Sequence, residues 1–194
     1  MTRKQKMWTL NALCAAAALT LSACGGDDDA PPVAPPDPAP APVALTLQGQ
    51  VARNAALKDA TVCLDLNGND DCDAGEPASA STGADGRYSL TATPAQAAAS
   101  RLIAVVKANV TIDANKPGQP VTSASDYVLK RPAGSAGGIN PLTTLVQAGV
   151  AAGMTEAQAR SNVASQLGIA EGKIDNYQDD PAADDTQVAD TARW

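Results

Sequence analysis

Apolar residues change their spacing four times along this chain, and each spacing predicts a different kind of segment. Residues 7–21 form a nearly unbroken run rich in Leu and Ala, interrupted by Thr9, Asn11 and Thr20. The run is too short to cross a bilayer comfortably as a helix, which takes roughly 20 apolar residues. Residues 25–43 bring Gly, Asp and a proline tract over 31–42, the composition of an extended spacer. From Leu45 onward, short runs of β-forming residues alternate with turn residues. They predict strands over 45–52, 60–66, 87–91, 102–108 and 127–130, with Asp85-Gly86 as a turn just before the third. Strands at this spacing suggest an antiparallel sandwich rather than alternating strand and helix. Residues 95–99 read as a helical turn or a loop, and 110–138 are turn-rich without a clear element.

At Asn140 the period becomes helical. Asn140 is a good N-cap and Pro141 suits the first helical position. Leu142, Leu145, Val146 and Val150 then give one apolar face. Gly153 can end this helix. Thr155 caps a second one with Gln158 completing a capping box, and Ala159, Val163 and Leu167 continue the face. Gly168 and Ile169 fit a Schellman-type stop. The expected fold class is therefore α+β: a small antiparallel β-sandwich over 44–132, then an α-helical hairpin over 139–169. Residues 170–194, with seven acids and little apolar material, read as a solvated or partly ordered acidic tail.

Composition narrows the chemistry. Among 194 residues there is no Phe and only 3% aromatic residues, so the core must rest on Val, Leu, Ile and Ala. No His occurs, which removes His-based triads, His general bases and ordinary catalytic zinc sites. Lys107, Lys116 and Lys130 lie in no nucleophile motif, so no enzyme is expected. The charge is −7, and without Arg3, Lys4 and Lys6 the chain keeps 11 bases against 21 acids, about −10. Such a surface repels nucleic acid.

Arg3, Lys4 and Lys6, followed by the apolar run, make an export signal over 1–23. The run closes on Leu21-Ser22-Ala23-Cys24, which resembles the lipobox of bacterial lipoproteins. The resemblance implies that Cys24 receives a diacylglyceryl group, becomes the first residue after cleavage and is acylated again. Two or three acyl chains suffice for stable membrane anchoring. Gly25 in place of Asp favours the outer membrane by the lipoprotein sorting rule. Residues 24–43 would then be the linker that holds the folded part off the bilayer. A cleaved, freely secreted protein is the alternative.

The acidic segment over 65–76 carries the most specific pattern. Oxygen-bearing side chains at Asp65, Asn67, Asn69, Asp71, Asp73 and Glu76 occupy positions 1, 3, 5, 7, 9 and 12 of a 12-residue calcium loop. Calcium takes six to eight hard oxygens, and a tightly wound loop turns every second residue inward. Five acids without a base in 12 residues would otherwise repel one another. The usual Gly at position 6 is replaced by Asp70, which tolerates a left-handed backbone better than most residues. A solvated acidic loop with no ion is the alternative. Cys63 and Cys72 flank this loop, and with Cys14 in the signal and Cys24 lipidated they are the only free pair. An oxidising compartment favours a disulfide between them, with two reduced thiols as the alternative.

Gly49-x-Val51, Lys58-Asp59-Ala60-x-Val62, the 65–76 loop with Pro77, Thr82, and Ala84-Asp85-Gly86-x-Tyr88-x-Leu90 resemble the carboxypeptidase-regulatory-like and SdrD B-type repeat modules. Both are prealbumin-like, Cna-B-like small β-sandwiches. The resemblance covers about residues 45–110. It implies calcium held by Asp65, Asn67, Asn69, Asp73 and Glu76, with a backbone oxygen at Asp71, and a stalk or presenting role. Pro141-Leu142-Thr143-Thr144-Leu145-Val146 resembles a "PLTTLV" segment that follows such modules in exported bacterial proteins. The expected function is a lipid-anchored, calcium-stabilised envelope module that binds or presents a protein or glycan. A subunit docking its partner through the 140–168 hairpin is the alternative.

Overall fold

The structure, a computed structural model, describes residues 43–135 and 137–177. The signal, Cys24, most of the linker and residues 178–194 of the expected tail lie outside the described residues. The fold is mixed α+β, with small antiparallel sheets and short helices. Strand β1 (Leu45–Gln50) pairs with β4 (Arg87–Ala92). Strand β2 (Leu57–Lys58) pairs with β6 (Ile112–Asp113). Strands β3 (Thr61–Asp65), β5 (Arg101–Val106) and β7 (Tyr127–Arg131) form a third sheet in the order β3-β5-β7. The five expected strands are all present within a residue or two at most ends. The pairs β2 and β6 were not expected, because two residues carry no readable alternation.

The period of two explains the main core. In β4, Tyr88, Leu90 and Ala92 are buried while Arg87, Ser89 and Thr91 face water. Val62 and Leu64 of β3, with Leu102, Ala104 and Val106 of β5, enter the same core as Tyr88 and Leu90. The alternate residues Cys63, Ile103 and Val105 form a second cluster on the opposite face, against Cys72 and Val128. Both faces of β3 and β5 are therefore covered, which is why these strands read as nearly continuous apolar runs.

Helix α1 (Pro94–Ala99) settles the choice between helical turn and loop over 95–99. Thr93 and Gln96 close a capping box around its start. Helices α2 (Pro141–Ala151) and α3 (Glu156–Leu167) begin at the caps read from the sequence, Asn140 and Thr155. Gly168 takes φ 67° after α3, and the Ile169 amide donates back to Ala164 O at 3.0 Å, the expected stop.

The start of α2 also completes a sheet edge. The Lys130 amide of β7 donates to Thr144 Oγ1 at 2.8 Å, and Thr143 Oγ1 donates to the Lys130 carbonyl at 2.8 Å. The two threonines thus take the places of a neighbouring strand's backbone groups. An open edge with unpaired N–H and C=O groups is a template for aggregation, and here α2 covers it. In this structure Thr143 and Thr144 cap the helix start and bond the Lys130 edge.

One expectation needs correction. Of the tail expected to be solvated or partly ordered, residues 170–177 are folded onto the helices rather than solvated. They include a fourth helix, α4 (Lys173–Asn176), and Ile174 and Tyr177 are buried with Leu142, Val146, Ala159 and Val163. Two apolar side chains three residues apart were hidden among acids in the sequence, yet they close the face of α2 and α3.

Candidate functional site

The 65–76 loop leaves β3 where Asp65 pairs with Arg101 across the sheet. This register decides the electrostatics. Arg101 Nε and Nη2 donate to Asp65 Oδ2 at 3.0 and 2.7 Å, and Nη2 also reaches Asp70 Oδ1 at 2.7 Å. Lys130, from β7, donates to Asp70 Oδ2 at 2.6 Å. The five loop acids therefore do not stand unbalanced, as the isolated segment suggested. Two bases from neighbouring strands reach in. Neither is within the motif, and only the strand pairing reveals them.

Asp65 winds the loop from within. Its Oδ1 accepts the Gly68 amide at 2.6 Å and its Oδ2 accepts the Asp70 amide at 3.1 Å. Burial pushes the Asp65 carboxyl up, but the Asp70 and Gly68 amides and Arg101 outweigh it and hold it below the ordinary carboxylate range. Asp70 has φ 67°, the left-handed backbone expected where a calcium loop usually carries Gly.

Three of the remaining expected ligands meet at one point. Asn67 Nδ2 and Asn69 Nδ2 each donate to Asp73 Oδ2 at 2.8 Å. Their amide oxygens are turned to the backbone, Asn67 Oδ1 accepting from Asn69 N at 3.1 Å and Asn69 Oδ1 from Asp71 N at 2.9 Å. Glu76 closes the loop, with Oε1 accepting from Leu66 N at 2.8 Å and Oε2 from Asp73 N at 3.2 Å. Asp71 is set apart, its carboxylate taking the Cys72 amide at 2.8 Å. Among the described residues no three carboxylate, thiolate or imidazole groups are placed to share a metal. The cluster that does converge is two amides and one carboxylate.

Cys63 and Cys72 are joined as a disulfide, with their Cα atoms 5.7 Å apart. Cys63 is wholly buried beneath the sheet, so the bond ties the middle of the loop to the β3 face. For a ring this short the constraint is worth about 2–3 kcal/mol. Among the described residues no helix is long and apolar enough to cross a membrane. In comparisons with known proteins the chain matches no family model, no curated protein and no solved structure.

Proposed function

We propose that the chain is a non-catalytic lipoprotein of the bacterial cell envelope, anchored in the outer membrane through Cys24. Its β part is a prealbumin-like sandwich stabilised by Ca2+ in the 65–76 loop, and its helical part is a hairpin over 139–169. The observation that carries the calcium reading is the convergence of Asn67, Asn69 and Asp73 on one point, inside a loop that Glu76 closes. Rotating the two amides by half a turn would present their oxygens to a cation beside the Asp73 carboxylate. Arg101 and Lys130 are then internal counter-ions that compete with the ion. Docking through the 140–168 helices has less support, because Ile174 and Tyr177 already cover their shared apolar face.

Thermal unfolding tests the calcium reading. With the weak affinity of extracellular modules, about 10⁻⁴ to 10⁻³ M, about 5 mM Ca2+ would add roughly 1–2 kcal/mol. A rise in Tm of about 3 °C or more is expected, lost in Asp73→Ala and enlarged in Arg101→Gln. Equal melting in Ca2+ and in chelator for all three proteins would sink the reading. The anchor is tested separately, by loss of detergent partitioning in Cys24→Ser.

A further inference from the structure

The far end of the β3-β5-β7 sheet carries a second polar site. Asp65 and Arg101 mark one end of the sheet, and Val106 paired with Tyr127 marks the other. At roughly 3.3 Å per residue, about 17 Å of β5 separates them. At the Tyr127 end two clefts meet at Arg53, which lines both. One, about 760 Å³, is walled by Asn54, Asp113, Lys116 and Gln119. The other, about 420 Å³, is walled by Tyr127, Ser123, Leu129 and Pro141. Both volumes suit a small-molecule site.

The polar groups here are poorly satisfied. Arg53 Nε, Asn54 Oδ1 and Tyr127 Oη are shielded from water and make no hydrogen bond of good geometry, although the Arg53 guanidinium stands beside the Tyr127 hydroxyl. Buried polar atoms without partners are uncommon, and a cluster of three asks for an explanation. The backbone around them is by contrast well fixed. The Arg53 amide donates to Ala55 O at 3.0 Å, its carbonyl accepts from the Tyr177 hydroxyl, and the Ala114 amide ties the opposite wall to Ala56 O at 2.9 Å. The backbone is held by these hydrogen bonds, while the three side-chain atoms beside the clefts lack a well-aligned partner.

We propose that this paired cleft binds a neutral, hydroxyl-rich ligand, a sugar unit of a glycan. The chemistry of the lining selects that class. Arg53 and Lys116 donate, whereas Asn54 Oδ1 and the buried carboxylate of Asp113 accept. A free anion would meet Asp113, and a cation would meet Arg53 and Lys116. Vicinal hydroxyls supply a donor and an acceptor on neighbouring atoms, and so match a lining of mixed sign. Tyr127, with Leu129 and Pro141 beside it, adds an apolar wall for the face of a sugar ring. Because these atoms are shielded from water, binding includes a rotamer change of the half-buried Arg53 that opens them to the ligand.

The full chain in detergent micelles, titrated with neutral cellotriose and triacetylchitotriose, with anionic trigalacturonate and with cationic spermine, tests this. Saturable binding of a neutral probe is expected, unchanged by chelator because the acidic loop lies at the other end of the sheet. Tyr127→Phe and Asn54→Ala should each weaken it about fivefold, the loss of one hydrogen bond. Tyr127→Phe removes an oxygen that the Arg53 guanidinium stands beside, and its melting curve, read next to the parent's, checks that the fold is kept. The proposal is overturned if neither neutral probe binds, if trigalacturonate or spermine binds as well as the neutral sugars, or if both variants bind like the parent. The Ca2+ melting experiment can fail without touching this result, and this one can fail without touching that.

Discussion

A single carboxylate decides how the acidic loop responds to acid. The Asp65 side chain has no exposed surface, and burial alone would favour its neutral form. Two loop amides and the Arg101 fork hold it ionised instead. Its folded pKa lies below its unfolded value, so its contribution to stability is present above the unfolded pKa, near 3.9. That contribution is lost as pH falls through the lower, folded pKa. Asp65→Asn keeps the size of the side chain and removes the charge. At neutral pH it is expected to cost about 1.5–3 kcal/mol, the worth of a hydrogen bond to a charged group. In urea unfolding followed from about pH 7 to pH 2, the gap between parent and variant should close as Asp65 protonates. A gap that stays constant across that range would mean that Asp65 does not titrate with folding.

At the scale of elements, α2 is more than a helix that happens to follow β7. Its first turn supplies two hydroxyls to Lys130, so the helix start stands in for a missing strand. Thr144→Val keeps the shape and leaves the Lys130 amide without its acceptor. A cost of about 1–2 kcal/mol is expected, read as a lower urea midpoint with an unchanged m-value. A variant as stable as the parent would assign the edge cap to Thr143 alone. This contact was not legible in the sequence, although both partners were. The Asn140 cap, Pro141 and the apolar period placed α2 within a residue, because caps and periods are local signals. That Thr144 meets Lys130 depends on how the 132–139 segment turns back. The same divide holds elsewhere. The 65–76 spacing and the left-handed Asp70 were readable, since both lie within 12 residues. Arg101 and Lys130, which change the charge of that loop, arrive through strand register and could not be read along the chain. Helix α4 was missed for another reason: Ile174 and Tyr177 are too few to show a period against Glu171 and Asp175.

Within the described part of the chain, the β and helical portions share bonds as well as neighbours. Arg131 of β7, nearly fully buried, donates to Gly138 O and reaches Asp175 at 3.3 Å, and Asp175 also pairs with Arg160 of α3. Burial lowers the Arg131 pKa, and the charge of Asp175 raises it in turn. Asn140 Nδ2 donates to Ile174 O at 2.8 Å, and the Tyr177 hydroxyl donates to Arg53 O beside the cleft. The polar contacts cross the same junction that Ile174 and Tyr177 seal with apolar surface. Residues 171–177 therefore act as a latch between the sheet of Arg131 and the helices. Tyr177→Ala removes a side chain that is 1% exposed, together with the bond to Arg53. A loss of about 3–5 kcal/mol is expected, as for other buried aromatic truncations. A latch makes a further demand, that both portions fall together. Helical circular dichroism and the fluorescence of the remaining tyrosines, Tyr88 and Tyr127 on the strands, should report one coincident transition at a lower temperature. If the helices melt first while the strand signal keeps the parent midpoint, Tyr177 belongs to the helices alone and the latch does not exist.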